Sequence, residues 1–145
     1  MSTIPSLIRR FTHDRSGTSA VEFALLSPLY FLLMFGMAAY GIYFGASHSV
    51  QQLAADAARV AIAGVSPDER RQLASDFVAI NASTYAFIDG EKIAVALGDR
   101  PDDPTQFVID VTYDARELPI WSLFEGLPLP GMTILRRSTV RIGGI

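Results

Sequence analysis

The chain has 145 residues, which is room for one folded domain, and its net charge is -3 at pH 7. So mild a charge gives no indication of a nucleic-acid partner, and the absence of cysteine excludes disulfides, thiol chemistry and cysteine-ligated zinc. Hydrophobic residues make up 50% of the chain, but no Asp, Glu, Lys or Arg occurs between Phe23 and Ala55. The chain therefore divides into a charge-free apolar stretch and a region of ordinary composition.

Residues 1–17 precede the apolar stretch and form a short basic leader. They contain three arginines against one aspartate, a net charge of about +2, whereas residues 56–145 contain 9 Lys/Arg against 13 Asp/Glu, a net charge of about -4. Positively charged flanks of membrane helices stay in the cytoplasm. The asymmetry predicts a cytoplasmic N-terminus and an extracytoplasmic region over residues 48–145.

The run Phe23–Ser47 (FALLSPLYFLLMFGMAAYGIYFGAS) has 25 residues, and as a helix it would extend about 37 Å, more than the roughly 30 Å of a bilayer core. Proline and glycine weaken soluble helices but are common in membrane helices, where they mark kinks or close packing. We therefore predict a transmembrane helix over residues 18–47. Its predicted helix-packing positions are Pro28, Gly36, Gly41 and Gly45.

Two other interpretations of this run compete with a membrane helix. The first is a buried helix of a soluble protein, but the run is apolar on all faces and longer than such helices usually are. The second is a secretory signal peptide, since a basic region precedes an apolar one. The run is too long for a usual signal core, and no clean small-x-small cleavage site follows it.

Glu22 is an ionisable residue at the edge of the run. A carboxylate is costly in hydrocarbon unless it is neutralised, so a residue in this place is a functional candidate by default. In the headgroup region the same side chain would cost little. Position alone does not decide between these two interpretations.

The residues on both sides of Glu22 form a longer pattern. Arg15-Ser16-Gly17 ends the leader, Ala20-Val21-Glu22-Phe23-Ala24-Leu25 opens the apolar run, and a Gln/Ala-rich stretch from Val50 to Arg59 follows it. This pattern resembles the TadE-like family, pseudopilins of the Tad (tight adherence, Flp pilus) system, over about residues 9–63. The leader also resembles, more generally, the class III signal of type IV pilin-like proteins.

The resemblance implies processing by a prepilin peptidase, which would cut between Gly17 and Thr18 on the cytoplasmic side and leave the apolar helix in place. Cleavage would create a cationic amine at Thr18. The resemblance assigns assembly and charge pairing to Glu22 and Phe23. The Glu22 carboxylate would pair with the amine of its own chain or of a neighbouring subunit during assembly.

The resemblance also implies partners and a location. The partners would be the prepilin peptidase, other pilin-like subunits, Tad inner-membrane assembly proteins and the lipid bilayer. The chain would lie in the bacterial inner membrane as a single-pass protein and be incorporated into an extracellular pilus.

The N-terminal helix is expected to continue past the membrane. Its next stretch lacks Gly and Pro and is rich in alanine, a strong helix former, so we predict one long helix to about residue 63 with Gly64 as its C-cap. The apolar positions in this stretch recur at helical spacing and predict a buried face. They are Val50, Leu53, Ala54, Ala57, Ala58 and Ala61.

A second helix is predicted over residues 67–88. Ser66 is a good N-cap, Pro67 suits the first turn, and Glu69 completes a capping box. Apolar residues recur every three or four positions along one face, which is predicted to be core. That face consists of Leu73, Phe77, Ile80, Thr84 and Phe87.

After the turn signal Asp89-Gly90, the hydrophobic period changes to two. The alternation predicts strands over 92–97 and 106–113, paired as a hairpin across a polar loop at 98–104, and a last strand over 132–142. The predicted fold class is α+β, with a long N-terminal pilin-like helix, transmembrane and then extracytoplasmic, a second helix and a small antiparallel sheet.

The segment Leu118–Pro130 contains several prolines, which exclude an interior strand. Its bulky residues Trp121 and Phe124 make it the candidate partner surface. The alternative is a loop that folds over the sheet and covers the core.

No catalytic motif occurs in the sequence. His13 and His48 are the only histidines and are predicted to lie on opposite sides of the membrane, and the acidic loop at Asp99, Asp102 and Asp103 lacks the EF-hand pattern. We expect no enzyme activity, no cofactor and no metal.

The predicted function is that of a minor pseudopilin taking part in assembly of a Tad/Flp-type pilus. The alternative is a single-pass anchored binding module for an unrelated extracytoplasmic partner.

Overall fold

The computed structural model describes residues 16–121 and 130–142. A long helix, α1, is followed by a shorter helix, α2, two short 3-10 turns and three strands. In chain order these are α1 (Ser16–Ala61), α2 (Pro67–Asn81), the turns Ala82–Thr84 and Gly90–Lys92, β1 (Ile93–Arg100), β2 (Asp103–Asp114) and β3 (Thr133–Arg141). The predicted α+β class, with its long N-terminal helix, second helix and small antiparallel sheet, is confirmed.

The chain divides into two compact units, residues 1–37 and residues 38–145. In its described part, the first unit consists of helix alone, from Ser16 onward. The second unit contains the rest of α1 together with α2 and the sheet.

The stretch of α1 in the second unit buries the face that the sequence predicts. Every one of its predicted core positions is at most 1% exposed, and the helix ends at Ala61, close to the predicted end. Most of these side chains are alanines, which let the neighbouring backbone approach closely. They are Val50, Leu53, Ala54, Ala57, Ala58 and Ala61.

The connection between α1 and α2 depends on Gly64. A Cβ at this position would lie 2.7 Å from the backbone nitrogen of Arg70, so only glycine fits there. The backbone of Gly64 is not left-handed, and the helix has already ended at Ala61, so its predicted role as a C-cap is wrong. Its carbonyl accepts a hydrogen bond from Nη1 of Arg70 at 3.4 Å.

The start of α2 carries the predicted capping box. The hydroxyl of Ser66 accepts a hydrogen bond from the Glu69 backbone N–H at 3.2 Å. The Glu69 carboxylate in turn accepts from the backbone N–H of Val65 at 2.9 Å, one residue earlier than in the usual box. Two N–H groups near the start of the helix are therefore satisfied by side chains.

The end of α2 differs from the prediction, which extended the helix to residue 88. The helix ends at Asn81, where the side-chain amide donates to the Phe77 carbonyl at 2.8 Å, and the Thr84 hydroxyl donates to the Asn81 carbonyl at 2.7 Å. Such side-chain bonds compete with the helical ladder. The helix is consequently followed by a 3-10 turn, Ala82–Thr84.

The buried face of α2 is also not the predicted one. The small residues Ala74 and Val78 are buried, together with Arg70, whereas Ile80 is 76% exposed and Phe87 is 57% exposed. Phe77 is half-buried and packs against the core. The helix lies against β1, and small side chains on the contact face allow the close approach that large ones would prevent.

The sheet has the order β1-β2-β3, and both pairs are antiparallel. The hairpin of β1 and β2 is longer than predicted, because the strands continue to Arg100 and resume at Asp103. The predicted polar loop at 98–104 is therefore mostly strand. The third strand, Thr133–Arg141, lies within the predicted range.

The alternation of β2 places its apolar side chains in the core. Phe107, Ile109 and Val111 are fully buried and Tyr113 is 3% exposed, while the intervening residues face the other side of the sheet. These side chains and the buried face of α1 belong to one hydrophobic cluster.

The segment after β2 folds onto this cluster. Leu118 and Ile120 are buried, and Trp121 packs against the core and donates its indole N–H to the Ala115 carbonyl at 2.6 Å. The described part of the segment thus covers the core, as the alternative interpretation had it. Phe124 lies outside the described residues, and its role as a partner surface stays a prediction.

Candidate processing and assembly site

The first stretch of α1, from Ser16 to Met37, presents an apolar surface that nothing in the described chain covers. Ten of its large apolar side chains are between 37% and 79% exposed, while Leu32 and Phe35 are half-buried. Contiguous apolar surface of this extent marks contact with a membrane or with other proteins. The exposed residues are Val21, Phe23, Leu25, Leu26, Leu29, Tyr30, Phe31, Leu33, Met34 and Met37.

By length and composition, one helix in the described part of the chain is able to cross a membrane, and it is this one, Gly17–Ala61. It lies near the N-terminus, and its most apolar window is not buried. The helix is compatible with a single-pass membrane anchor.

The predicted cleavage site lies in the first turn of α1. Gly17 and Thr18 are both exposed, and a Cβ at Gly17 would meet no other atom within 4 Å. The first four N–H groups of a helix have no partner within the helix, so this turn is the one least held by the ladder. The bond between Gly17 and Thr18 is therefore accessible, and its cleavage stays a prediction.

Glu22 follows Thr18 by four positions, which places both residues on the same face of α1, about 6 Å apart along its axis. The side chain of Glu22 is exposed, and it takes part in no ion pair with any residue the structure describes. Phe23, the next residue, is 68% exposed. A carboxylate is thus available beside the position at which cleavage would create an amine.

Pro28 lies inside α1 without interrupting it. Proline has no N–H, so the carbonyl of Ala24 loses its usual helical donor. The Ser27 hydroxyl donates to that carbonyl at 3.3 Å and replaces the missing bond. Such local compensation is how helices in lipid tolerate proline.

The three predicted packing glycines have different surroundings. A Cβ at Gly36 or Gly41 would meet nothing within 4 Å, so these positions are open to a partner from outside the chain. A Cβ at Gly45 would lie 2.8 Å from the ring of Phe87, so this glycine is already covered by the chain itself. Their part in packing between subunits stays a prediction.

The second unit contains polar contacts that sequence reasoning missed. The Tyr85 hydroxyl donates to the Asp56 carboxylate at 2.8 Å, and burial together with this bond raises the pKa of Tyr85 to about 12. Arg136 donates to the hydroxyl of Ser47 across 89 positions of sequence. The alternation of β3 could have revealed Arg136, because it puts this arginine on the inward face between Ile134 and Ser138.

The outer face of the sheet carries a shallow open groove of about 420 Å³. Its polar lining includes Asp110 and Arg137, whose guanidinium donates two hydrogen bonds to the carboxylate at 2.6 Å each. This pairing lowers the pKa of Asp110. No group of three or more His, Asp or Glu side chains suited to a metal ion occurs among residues 16–121 and 130–142.

In its described part, the chain combines one exposed apolar helix near the N-terminus with a small α+β unit. The length and composition of this helix suit a membrane anchor. A sequence model described as TadE-like protein matches residues 17–59, and this match confirms the resemblance to the TadE-like family. It covers 43 of the 145 residues (17 through 59), which are α1 from Gly17 to Arg59. Over this stretch of α1 the chain is similar to TadE-like proteins.

The matched stretch contains Gly17, Thr18, Glu22 and Phe23, whereas α2 and the sheet lie outside it. No curated protein and no solved structure matches this chain.

Proposed function

We propose that this chain is a minor pseudopilin that a prepilin peptidase processes between Gly17 and Thr18 and that takes part in assembly of a Tad/Flp-type pilus. The observation that carries the proposal is the position of Glu22, exposed and one turn after Thr18, where the uncovered apolar helix begins. The family match over this same stretch supports it.

The electrostatics of the cleaved chain favour such a role for Glu22. Cleavage leaves a cationic amine at Thr18, at the end of α1 where the helix dipole is already positive. Both positive charges would be unfavourable in a lipid environment unless a carboxylate neutralises them. Glu22 can do so for its own chain or for a neighbouring subunit, because a residue four positions along faces the same side.

The apolar surface supplies the packing for assembly. Gly36 and Gly41 are open, and small residues let membrane helices approach one another closely. The expected partners are other pilin-like subunits and Tad inner-membrane assembly proteins. In this proposal the N-terminus is cytoplasmic, the second unit is outside, and the role is one of assembly rather than catalysis.

The first test is the N-terminal sequence of the chain purified from membranes of cells that contain a prepilin peptidase. We expect Thr18 at the terminus, and no cleavage in Gly17→Val. Gly36→Val is the matched control, since both glycines are sterically open, and it should be cut normally. Retention of Met1 in the wild type would support the anchored binding module instead, and a start near residue 47 would support a secreted domain.

The second test concerns Glu22. Glu22→Gln should insert into the membrane as the wild type does but should lose most of its co-purification with tagged pilus components. Glu91→Gln removes another exposed carboxylate in the second unit and serves as the control. Normal co-purification of Glu22→Gln would contradict the charge-pairing role.

A further inference from the structure

The segment between Ser83 and Gly90 forms a closed loop, called the 84–89 loop below. A Cβ at Gly90 would lie 2.4 Å from the Ser83 hydroxyl oxygen and 3.0 Å from the Ser83 nitrogen, so the two ends of the loop touch. Compact loops whose ends meet are frequently functional.

Both ends of the 84–89 loop are held by hydrogen bonds within the second unit. On one side, Tyr85 donates its hydrogen bond to Asp56 of α1 at 2.8 Å. On the other side, Asp89 caps the 3-10 turn that leads into β1, and its carboxylate accepts a hydrogen bond from the backbone N–H of Glu91 at 3.0 Å. The loop is therefore held at its base on both sides.

The tip is Phe87, and its conformation is unfavourable in two respects. Its φ is 63°, a left-handed backbone that bulky residues rarely adopt. Its side chain is also 57% exposed, so part of a large apolar ring stays uncovered although the ring packs against Gly45 of α1. Strained backbone conformations of this kind cluster at functional sites, and the exposed part of the ring is available for a contact outside the chain.

The position of the tip along α1 identifies that contact. The ring of Phe87 lies over Gly45, whereas Tyr85 is bonded to Asp56, about 16 Å farther along the helix axis. The loop thus runs back along α1 toward the apolar run. A helix that enters hydrocarbon at Phe23 crosses a core of roughly 30 Å in about 20 residues and leaves it near residue 43. Gly45 is therefore at the outer boundary of the span.

The surface around Gly45 has the composition of a membrane interface. Phe44 is 63% exposed, and its ring centroid lies 6.2 Å from that of Tyr43. Tyrosine is enriched where membrane helices meet the headgroups, and the exposed Phe44 ring beside Tyr43 adds apolar surface at the same level of the helix. From Tyr85 to Ile88 the loop carries no charged residue that would oppose contact with lipid.

From these observations we infer that Phe87 and Phe44 insert into the outer interface of the bilayer and form a second lipid contact of the folded unit. This inference rests on the proposed membrane anchor and goes beyond it, because it gives the α+β unit its own membrane contact. The contact would hold the unit in one orientation against the bilayer. It is apolar, so it should not require anionic lipid.

The chain has no cysteine, so single nitroxide labels can be placed at will. The full chain would be labelled at Phe87→Cys, at Ala86→Cys as a second tip position with a small exposed side chain, at Ile80→Cys as an exposed control in the same unit, and at Phe31→Cys as the reference within the apolar run. Each variant is reconstituted into phosphatidylcholine vesicles. The accessibility of each label to oxygen and to a water-soluble nickel chelate is then measured by electron paramagnetic resonance.

We expect the label at position 31 to report the bilayer interior. The labels at positions 86 and 87 should report the interface, with an oxygen-to-nickel ratio several times that at position 80, which should report water. A ratio at both tip positions equal to that at position 80, with position 31 still in lipid, would overturn the inference and leave the anchor standing. Low access of both reagents at the tip would indicate burial against protein and would also overturn it. Aqueous access at position 31 would overturn the anchor and the inference together.

Discussion

The two stretches of α1 belong to one helix but have opposite surfaces. Between residues 16 and 37 the large apolar side chains face outward, and Leu25 is 79% exposed. Between residues 46 and 61 the inward face is mostly alanine, and Leu53 is fully buried. Both stretches are apolar and both are helical, so the difference lies in what covers them. The chain supplies a sheet for the second stretch and, in its described part, no cover for the first.

Side-chain size follows this difference. Alanines on the second stretch let the sheet approach closely, and the contacts that result are numerous because the packing is dense. Large side chains on the first stretch suit a lipid surface, where no neighbouring backbone has to be admitted. A helix can thus carry small residues where the rest of its own chain packs against it. It can carry large residues where lipid or another molecule surrounds it.

The largest expected effect separates the two stretches by stability. Leu53→Ala should lower the free energy of unfolding by about 2–5 kcal/mol, because it leaves a cavity in the core. The measurement is urea denaturation of the full chain in detergent micelles, followed by Trp121 fluorescence. Leu33→Ala, at a side chain that is 54% exposed, is the matched control and should leave the transition unchanged. An equal loss of unfolding free energy in the two variants would contradict the difference between the two stretches.

The next effect separates the stretches by membrane insertion. Leu33→Arg should disfavour insertion by about 2.5–3.5 kcal/mol, because it puts a charge near the centre of the apolar run. The fraction of chain that resists carbonate extraction from membranes measures it. Gln52→Arg adds the same charge to an exposed position of the second stretch and should be retained like the wild type. Full retention of Leu33→Arg would show that the first stretch is not in lipid.

A smaller effect is confined to the folded unit. Ser66→Ala removes the N-cap of α2 and should cost about 0.5–2 kcal/mol of unfolding free energy. Ser75→Ala, at an exposed position inside the same helix, is the control. Carbonate extraction should be the same for both variants, because neither touches the first stretch. A change in membrane retention by Ser66→Ala would mean that the two stretches are coupled.

The smallest effect is a pH dependence of the outer sheet face. The Arg137 guanidinium holds the pKa of Asp110 below its ordinary value of 3.8, so the pair stabilises the fold above that pH and the contribution is lost as the pH falls below it. Asp110→Asn should therefore flatten the acid side of the stability profile. Arg137→Gln should do the same, because it removes the partner. An acid slope like that of the wild type in either variant would contradict the assignment.

Local patterns predicted several features of the structure correctly. The capping box at Ser66 and Glu69, the inward residues of β2 and the alanine face of α1 all depend on neighbours within about one turn or two positions, so they can be read from spacing. The predicted end of α2, at residue 88, is wrong for a related reason. The apolar period continued past Asn81, but the Asn81 and Thr84 side chains bonded to the backbone and ended the helix.

Other features had no local signal. Ser47 and Arg136 meet across the whole domain, and the bond between them is invisible in either segment alone. The left-handed backbone of Phe87 is equally unexpected, since its sequence neighbours give no reason for it. In the candidate site the sequence singled out Gly17, Thr18 and Glu22, and the structure adds that all three are exposed at the start of one continuous helix.

The sequence by itself determined the apolar run, its length, the charge on its two flanks and the candidate site at its edge. Each of these depends only on the order of residues along one chain. The tertiary structure alone decided which face of α2 is buried, that Trp121 packs against the core, and that Phe87 lies over Gly45. Burial results from contacts between residues far apart in sequence, and such contacts exist only once the elements have met.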